Sequence, residues 1–176
     1  MTEPAPGDFG VVHMGGDSGR LIHLGQILNG DGFADYEHAF MYVGNGKIIE
    51  SEPGGAKLAD VHYNDILWST GKIEMTDLQR AKAAHAAYEY LNTQYSAMDY
   101  FALAAYRLKL GPLVPGLMSL AALGHATQVE GYVSTSKHMI SSQLVDQCYQ
   151  DAGVQLFNDK RRPGYVTPGA LAKLIS

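Results

Sequence analysis

"EHAFMYVGNGKIIES", residues 37–51, is the stretch on which the fold turns. Two runs of apolar, aromatic and β-branched residues flank Gly44-Asn45-Gly46, and an Asn-Gly pair between two such runs is a strong short-range hairpin signal. Alternation on the first arm sets His38, Phe40 and Tyr42 on one face and Ala39, Met41 and Val43 on the other. The face that Glu50 joins depends on the turn. A two-residue Asn45–Gly46 loop puts Glu50 opposite Met41, away from His38. A three-residue loop over 44–46 pairs Val43 with Lys47 and puts Glu50 opposite Phe40, beside His38 as a diagonal neighbour. Gly46 suits the left-handed residue that closes three-residue loops, so that loop and the shared face are expected.

Working outward, "DFGVVH" (8–13) reads as a short strand closed by glycines, and "RLIHLGQILNG" (20–30) spaces its leucines as a helix that stops at Asn29–Gly30. "AKLADVHY" and "GKIEM" (71–75) read as further strands. Thr76 with Gln79 forms a capping box, and the helix after it, to about Asn92, carries Leu78, Ala81, His85 and Tyr88 on one stripe. "AMDYFALAAYRLKL" (97–110) predicts another helix, stopped by Gly111–Pro112. A later helix starts at Ser141 or Ser142 and ends near Gly153, and "TPGALAKLI" predicts a short last one with Pro168 in its first turn. Early strands joined by hairpins and late helices indicate an α+β protein with a small, mostly antiparallel sheet packed against helices. No polar linker divides residues 1–176, so one domain is expected.

Composition narrows the function. Apolar residues make up 46% of the 176, the net charge is -5, and the densest basic run is "KRR", so nucleic acid is not an expected partner. A lone cysteine makes no internal disulfide, and the N-terminus lacks the basic and apolar regions of a signal peptide, so a cytoplasmic location is expected. Residues 110–129 form a charge-free run long enough to cross a bilayer, but its two prolines, three glycines, His125 and Gln128 argue for a buried segment or an apolar flap. No integral membrane segment is expected. His13, His23, His62, His85, His125 and His138 show no pairing at ligand spacing, and neither H-E-x-x-H nor C-x-x-C occurs, so no metal is expected. "GGDSG" and "GNG" lack the length and the lysine of a phosphate loop, and no cofactor is expected.

A carboxylate beside an imidazole fixes its tautomer and stabilises its charged form, which makes His38 and Glu50 a candidate catalytic pair. Alternatively, they are one polar face of an ordinary hairpin. Three side chains in "SKHMISSQLVDQCYQDAG" (136–153) compete as nucleophile. Cys148 sits two turns inside the helix, in line with Leu144 and Ala152, which marks a small core residue. Ser141 is at the helix head, where free N–H groups stabilise an anion, but a hydroxyl is a weaker nucleophile than a thiolate. Ser141 or Ser142 can equally be a helix cap. Gln26 is a candidate oxyanion donor and Tyr36 a candidate pocket wall, each with solvation or packing as the plain alternative.

"PGDFGVV", "YEHAFMYVGNGKIIES", "ISSQLV" and "YVTPGALA", in that order, resemble the NlpC-type papain-like hydrolases, and in particular their circularly permuted branch, which includes lecithin:retinol-acyltransferase-like proteins. In that branch a histidine strand comes first, a polar third member follows about a dozen residues on, and a cysteine comes last at a helix head. The resemblance implies a permuted papain-like fold in which His38 matches the histidine, Glu50 the third member and Ser141 the cysteine. It implies a thiol peptidase or amidase acting on a peptide or acyl substrate, cell-wall peptides among them, with some members handling lipid esters. Where the family has cysteine, this chain has Ser141. Three explanations compete: an inactivating Cys-to-Ser replacement, which is the reading taken; a natural serine in a relative that only binds; and recruitment of Cys148.

Overall fold

The structure is a computed structural model and describes residues 3–13, 36–52, 54–93, 140–159 and 166–176. The helices expected over 20–30 and 97–110, with Gln26, and the apolar run after Leu110 lie outside the described residues. The molecule is α+β: one open five-stranded antiparallel sheet and three helices among the described residues. The strands are β1 (Phe9–Val12), β2 (His38–Gly44), β3 (Lys47–Glu52), β4 (Gly55–Asp60) and β5 (Leu67–Trp68), in the spatial order β4-β3-β2-β1-β5. The helices are α1 (Asp77–Glu89), α2 (Ser141–Asp151) and α3 (Pro168–Ile175).

The hairpin forms, with Glu50 opposite Phe40 as expected, but by a different turn. Gly44 pairs with Lys47 across a two-residue Asn45–Gly46 loop, and both loop residues have positive φ, 53° and 69°. Asn-Gly is the pair that tolerates such a loop, whose twist matches that of the strands. The extra residue is absorbed in the strand: pairing jumps from Gly44–Lys47 to Tyr42–Ile48, which leaves Val43 as a bulge. The expected three-residue loop is therefore a two-residue loop plus a bulge, and both shift Glu50 by the same one residue.

The two sheet faces differ. Ala39, Met41 and Ile49, with Phe9 and Val11, meet Leu144, Val145, Cys148 and Tyr149 of α2 and Ala83 and Ala87 of α1 in the main core. The other face carries Val12, Phe40 and Ile48, with Tyr42, Tyr63, Ile66 and Trp68 packed against them. The ring of Phe40 lies across β1 at Gly10, where a Cβ would stand 2.6 Å from Phe40 Cε2, so only glycine fits under that ring. Helix α1 has the expected capping box, Thr76 with Gln79, but not the expected stripe. Leu78 and Tyr88 are exposed, and Ala83, Ala84, Ala86 and Ala87 are buried. Small side chains let α1 approach α2 and the sheet closely, and that approach, not side-chain size, selects its inner face. "GKIEM" is not a strand: Lys72 N–H bonds Ser69 O across a turn, and Gly71 is left-handed at φ 71°. The fifth strand is the two-residue Leu67–Trp68, too short for alternation to reveal.

Candidate functional site

His38 is the first residue of β2, next to Val12 of β1, and is almost fully buried. Its Nε2 lies 3.0 Å from Glu50 Oε2. The bulge at Val43 creates this contact, because it turns Glu50 onto the His38 face. Glu50 is 0% exposed, and a carboxylate in such a place persists only with partners. Tyr63 O–H donates to Glu50 Oε2 at 2.6 Å and stacks its ring on Phe40, with centroids 5.2 Å apart. Lys57 Nζ stands 3.6 Å from Glu50 Oε1 and 2.5 Å from Glu52 Oε2. Tyr63 O–H also reaches Glu52 Oε1 at 3.3 Å.

Burial alone pushes the Glu50 carboxyl up. Hydrogen bonds from His38 and Tyr63 and the charges of His38 and Lys57 outweigh it and hold Glu50 below its ordinary value. Tyr63 moves the other way: burial, then its bond to Glu50, push its hydroxyl well above the usual tyrosine range, so it stays a donor. An ionised carboxylate only accepts, so Nε2 of His38 carries the proton in their shared bond. Nδ1 is then the ring nitrogen that can take a proton, and it has no hydrogen-bond partner among the described residues.

Ser141 is the first residue of α2 and is buried. It precedes Leu144, Val145 and Cys148 by three, four and seven residues, which sets it on the stripe facing the sheet. Ile140 N–H bonds the Gln143 side chain at 3.0 Å, and no side chain caps the first-turn N–H groups of α2 among the described residues. Ser142 ties α2 to the chain just before α3, its Oγ donating to Val166 O at 2.7 Å. Tyr149, two turns on, donates to Gly7 O at 2.8 Å and meets Phe9 edge-on, at the Met41 end of the β1–β2 pair. Helix α2 packs on the Ala39–Met41 face, whereas His38 and Glu50 share the Phe40 face. Among the described residues no hydrogen bond joins Ser141 to His38. The two can meet only around the end of β2, where His38 is the terminal residue.

The other candidates separate. Cys148 is fully buried, and burial, with the nearby Asp151 charge, pushes its thiol far up, which suits a core residue. Tyr36 stacks on His13, centroids 4.5 Å apart, and packs against the main core. Sequence reasoning passed over Lys57, Tyr63, Glu52 and His62, whose Nε2 lies 4.0 Å from Glu50 Oε1. A signal for Lys57 was present: counting outward from the turn dipeptide Pro53-Gly54 sets Lys57 directly across from Glu50, as the register has it. His38, Glu50 and Glu52 offer three ligand atoms within 4.8 Å of one another, a grouping that could in principle hold a metal. The Lys57 ammonium lies within ion-pair distance of both carboxylates and offsets one of their two charges.

No helix among the described residues is long and apolar enough to cross a membrane. Comparison with family models, curated proteins and solved structures found no match.

Proposed function

We propose that the chain is a thiol-hydrolase scaffold of the permuted papain-like kind, built to cleave an amide by covalent catalysis, with Ser141 in the nucleophile position. The observation that carries this reading is the buried His38–Glu50 pair, 3.0 Å apart on a strand-end imidazole that has no other hydrogen bond among the described residues. In the thiol form, made by Ser141→Cys, the sulfur attacks the carbonyl carbon and its proton passes to His38 Nδ1. The C–N bond then breaks as His38 returns that proton to the leaving amine. Water, deprotonated by His38, releases the acid and restores the thiol. Glu50 holds the imidazole and balances its charge, and the uncapped N–H groups of the first turn of α2 receive the oxyanion. The anchoring of Tyr149 at the Met41 end supports an α2 head directed toward the His38 end. Amides are the favoured substrate class, cell-wall peptides among them, as the family resemblance implies.

A hydroxyl at position 141 needs a strong base in contact, and none is bonded to it among the described residues. The Ser141 chain is therefore expected to have little activity. The test offers peptidoglycan peptides and acyl thioesters to the Ser141→Cys chain. Turnover is expected, falling by about 10³-fold or more with His38→Ala. Binding of cell-wall fragments without turnover would replace the hydrolase with a non-catalytic binding relative. Turnover of acyl thioesters alone would indicate an acyl hydrolase or transferase.

A further inference from the structure

Around Glu50, four side chains close a ring. Tyr63 O–H bridges Glu50 Oε2, at 2.6 Å, and Glu52 Oε1, at 3.3 Å. Lys57 Nζ bridges Glu52 Oε2, at 2.5 Å, and Glu50 Oε1, at 3.6 Å. Two donors are thus shared between two carboxylates, of which only the buried one touches His38. The sharing is uneven, and Glu50 Oε1 has no hydrogen-bond partner of its own among the described residues. Register builds the ring: Glu50 and Glu52 lie two apart on β3, Lys57 pairs directly with Glu50, and Tyr63 returns over Phe40 after β4 ends. An ordinary surface ion pair has no reason to bury one carboxylate completely and aim it at an imidazole.

We infer that Tyr63 and Lys57 are positioning residues for His38, setting how much negative charge Glu50 presents to the ring, while Glu52 competes with Glu50 for both donors. This rests on the hydrolase reading for its use, though not for its geometry. Among the described residues, the titratable or charged groups that face the pair are Glu52 from β3, Lys57 from β4, and His62 and Tyr63 after it. Removing a donor from Glu50 concentrates charge on Oε2 and strengthens its bond to Nε2–H of His38. Removing Glu52 frees both donors for Glu50 and weakens that bond.

The Nε2 proton of His38, assigned by its loss in His38→Ala, reads this directly by NMR on the full Ser141 chain. Tyr63→Phe keeps the ring on Phe40 and is expected to move that resonance downfield. Lys57→Met is expected to move it the same way, and Glu52→Gln upfield. Amide resonances of β1 and α1 check that each variant stays folded. Opposite signs for Tyr63→Phe and Glu52→Gln support the inference, because general loosening moves both alike. No movement, or one sign for both, overturns it. In the Ser141→Cys chain, Tyr63→Phe and Glu52→Gln are expected to move kcat on an acyl thioester in opposite directions, to values roughly tenfold apart, at nearly constant KM. If the opposite-signed shifts occur and no Ser141→Cys form turns over any substrate, the hydrolase reading fails and the ring stands.

Discussion

Glu50 is a charge held where no water reaches it, and the way it is held has consequences for the whole chain. Its carboxyl sits below the ordinary glutamate value because its bonds to His38 and Tyr63 and nearby positive charge overcome burial. A group with a depressed native pKa binds fewer protons folded than unfolded. The stability it contributes is fully present above the unfolded value near ~4.3 and is lost as pH falls through the lower native value. Urea unfolding midpoints between pH 6 and pH 2 should therefore fall on the acid side, and the Glu50→Gln chain should show a shallower fall. Parallel curves for the two chains would mean that Glu50 is not held ionised by its neighbours. Cys148 is the opposite case. Its thiol is buried among apolar residues and serves as volume, as its mid-helix place in the sequence indicates.

At the scale of the element, the β2–β3 hairpin shows how a turn sets chemistry. Asn45 and Gly46 take positive φ, and the bulge at Val43 rotates Glu50 to the His38 face. Gly46 has open space where a Cβ would go, so Gly46→Ala meets no clash and tests the backbone alone. The expected cost is about 1 kcal/mol, read as a lower midpoint in chemical unfolding. An unchanged midpoint would show that the loop does not hold Gly46 left-handed. The hairpin was legible because Asn-Gly between alternating apolar runs has few other readings. The position of the extra residue was not, because a three-residue loop and a bulge displace the downstream register equally.

For the molecule as a whole, one buried polar joint ties sheet to helix. Asp8, just before β1, accepts bonds from Ala5 N–H at 2.8 Å and Thr70 Oγ1 at 2.9 Å, and pairs with Arg80 of α1. Breaking such a pair from one side strands a charge, so Asp8→Ala is expected to cost about 3–5 kcal/mol, and Arg80→Met in the same chain should recover part of it. Additive losses would show that Asp8 and Arg80 do not act together. The α+β class, four of the five strands and all three described helices were legible from periodicity and caps such as Thr76. Lys57 and Tyr63 were not identified, because they reach Glu50 through the β3–β4 register and a loop return that no single-strand pattern displays, whereas Glu52, two residues beyond Glu50 on β3, lay within reach of simple alternation. The proposed meeting of α2 with the His38 end of the sheet rests on the family resemblance and on the anchoring of Tyr149 at the Met41 end. That meeting is tested most directly by the alkylation rate of the thiol introduced by Ser141→Cys, followed from pH 5 to 9 with buried Cys148 as the unreactive internal control. A thiol facing His38 should react at pH 6 at least about tenfold faster than a free cysteine and lose that advantage with His38→Ala. A rate equal to that of free cysteine, unchanged by His38→Ala, would contradict a site built from residues 38, 50 and 141.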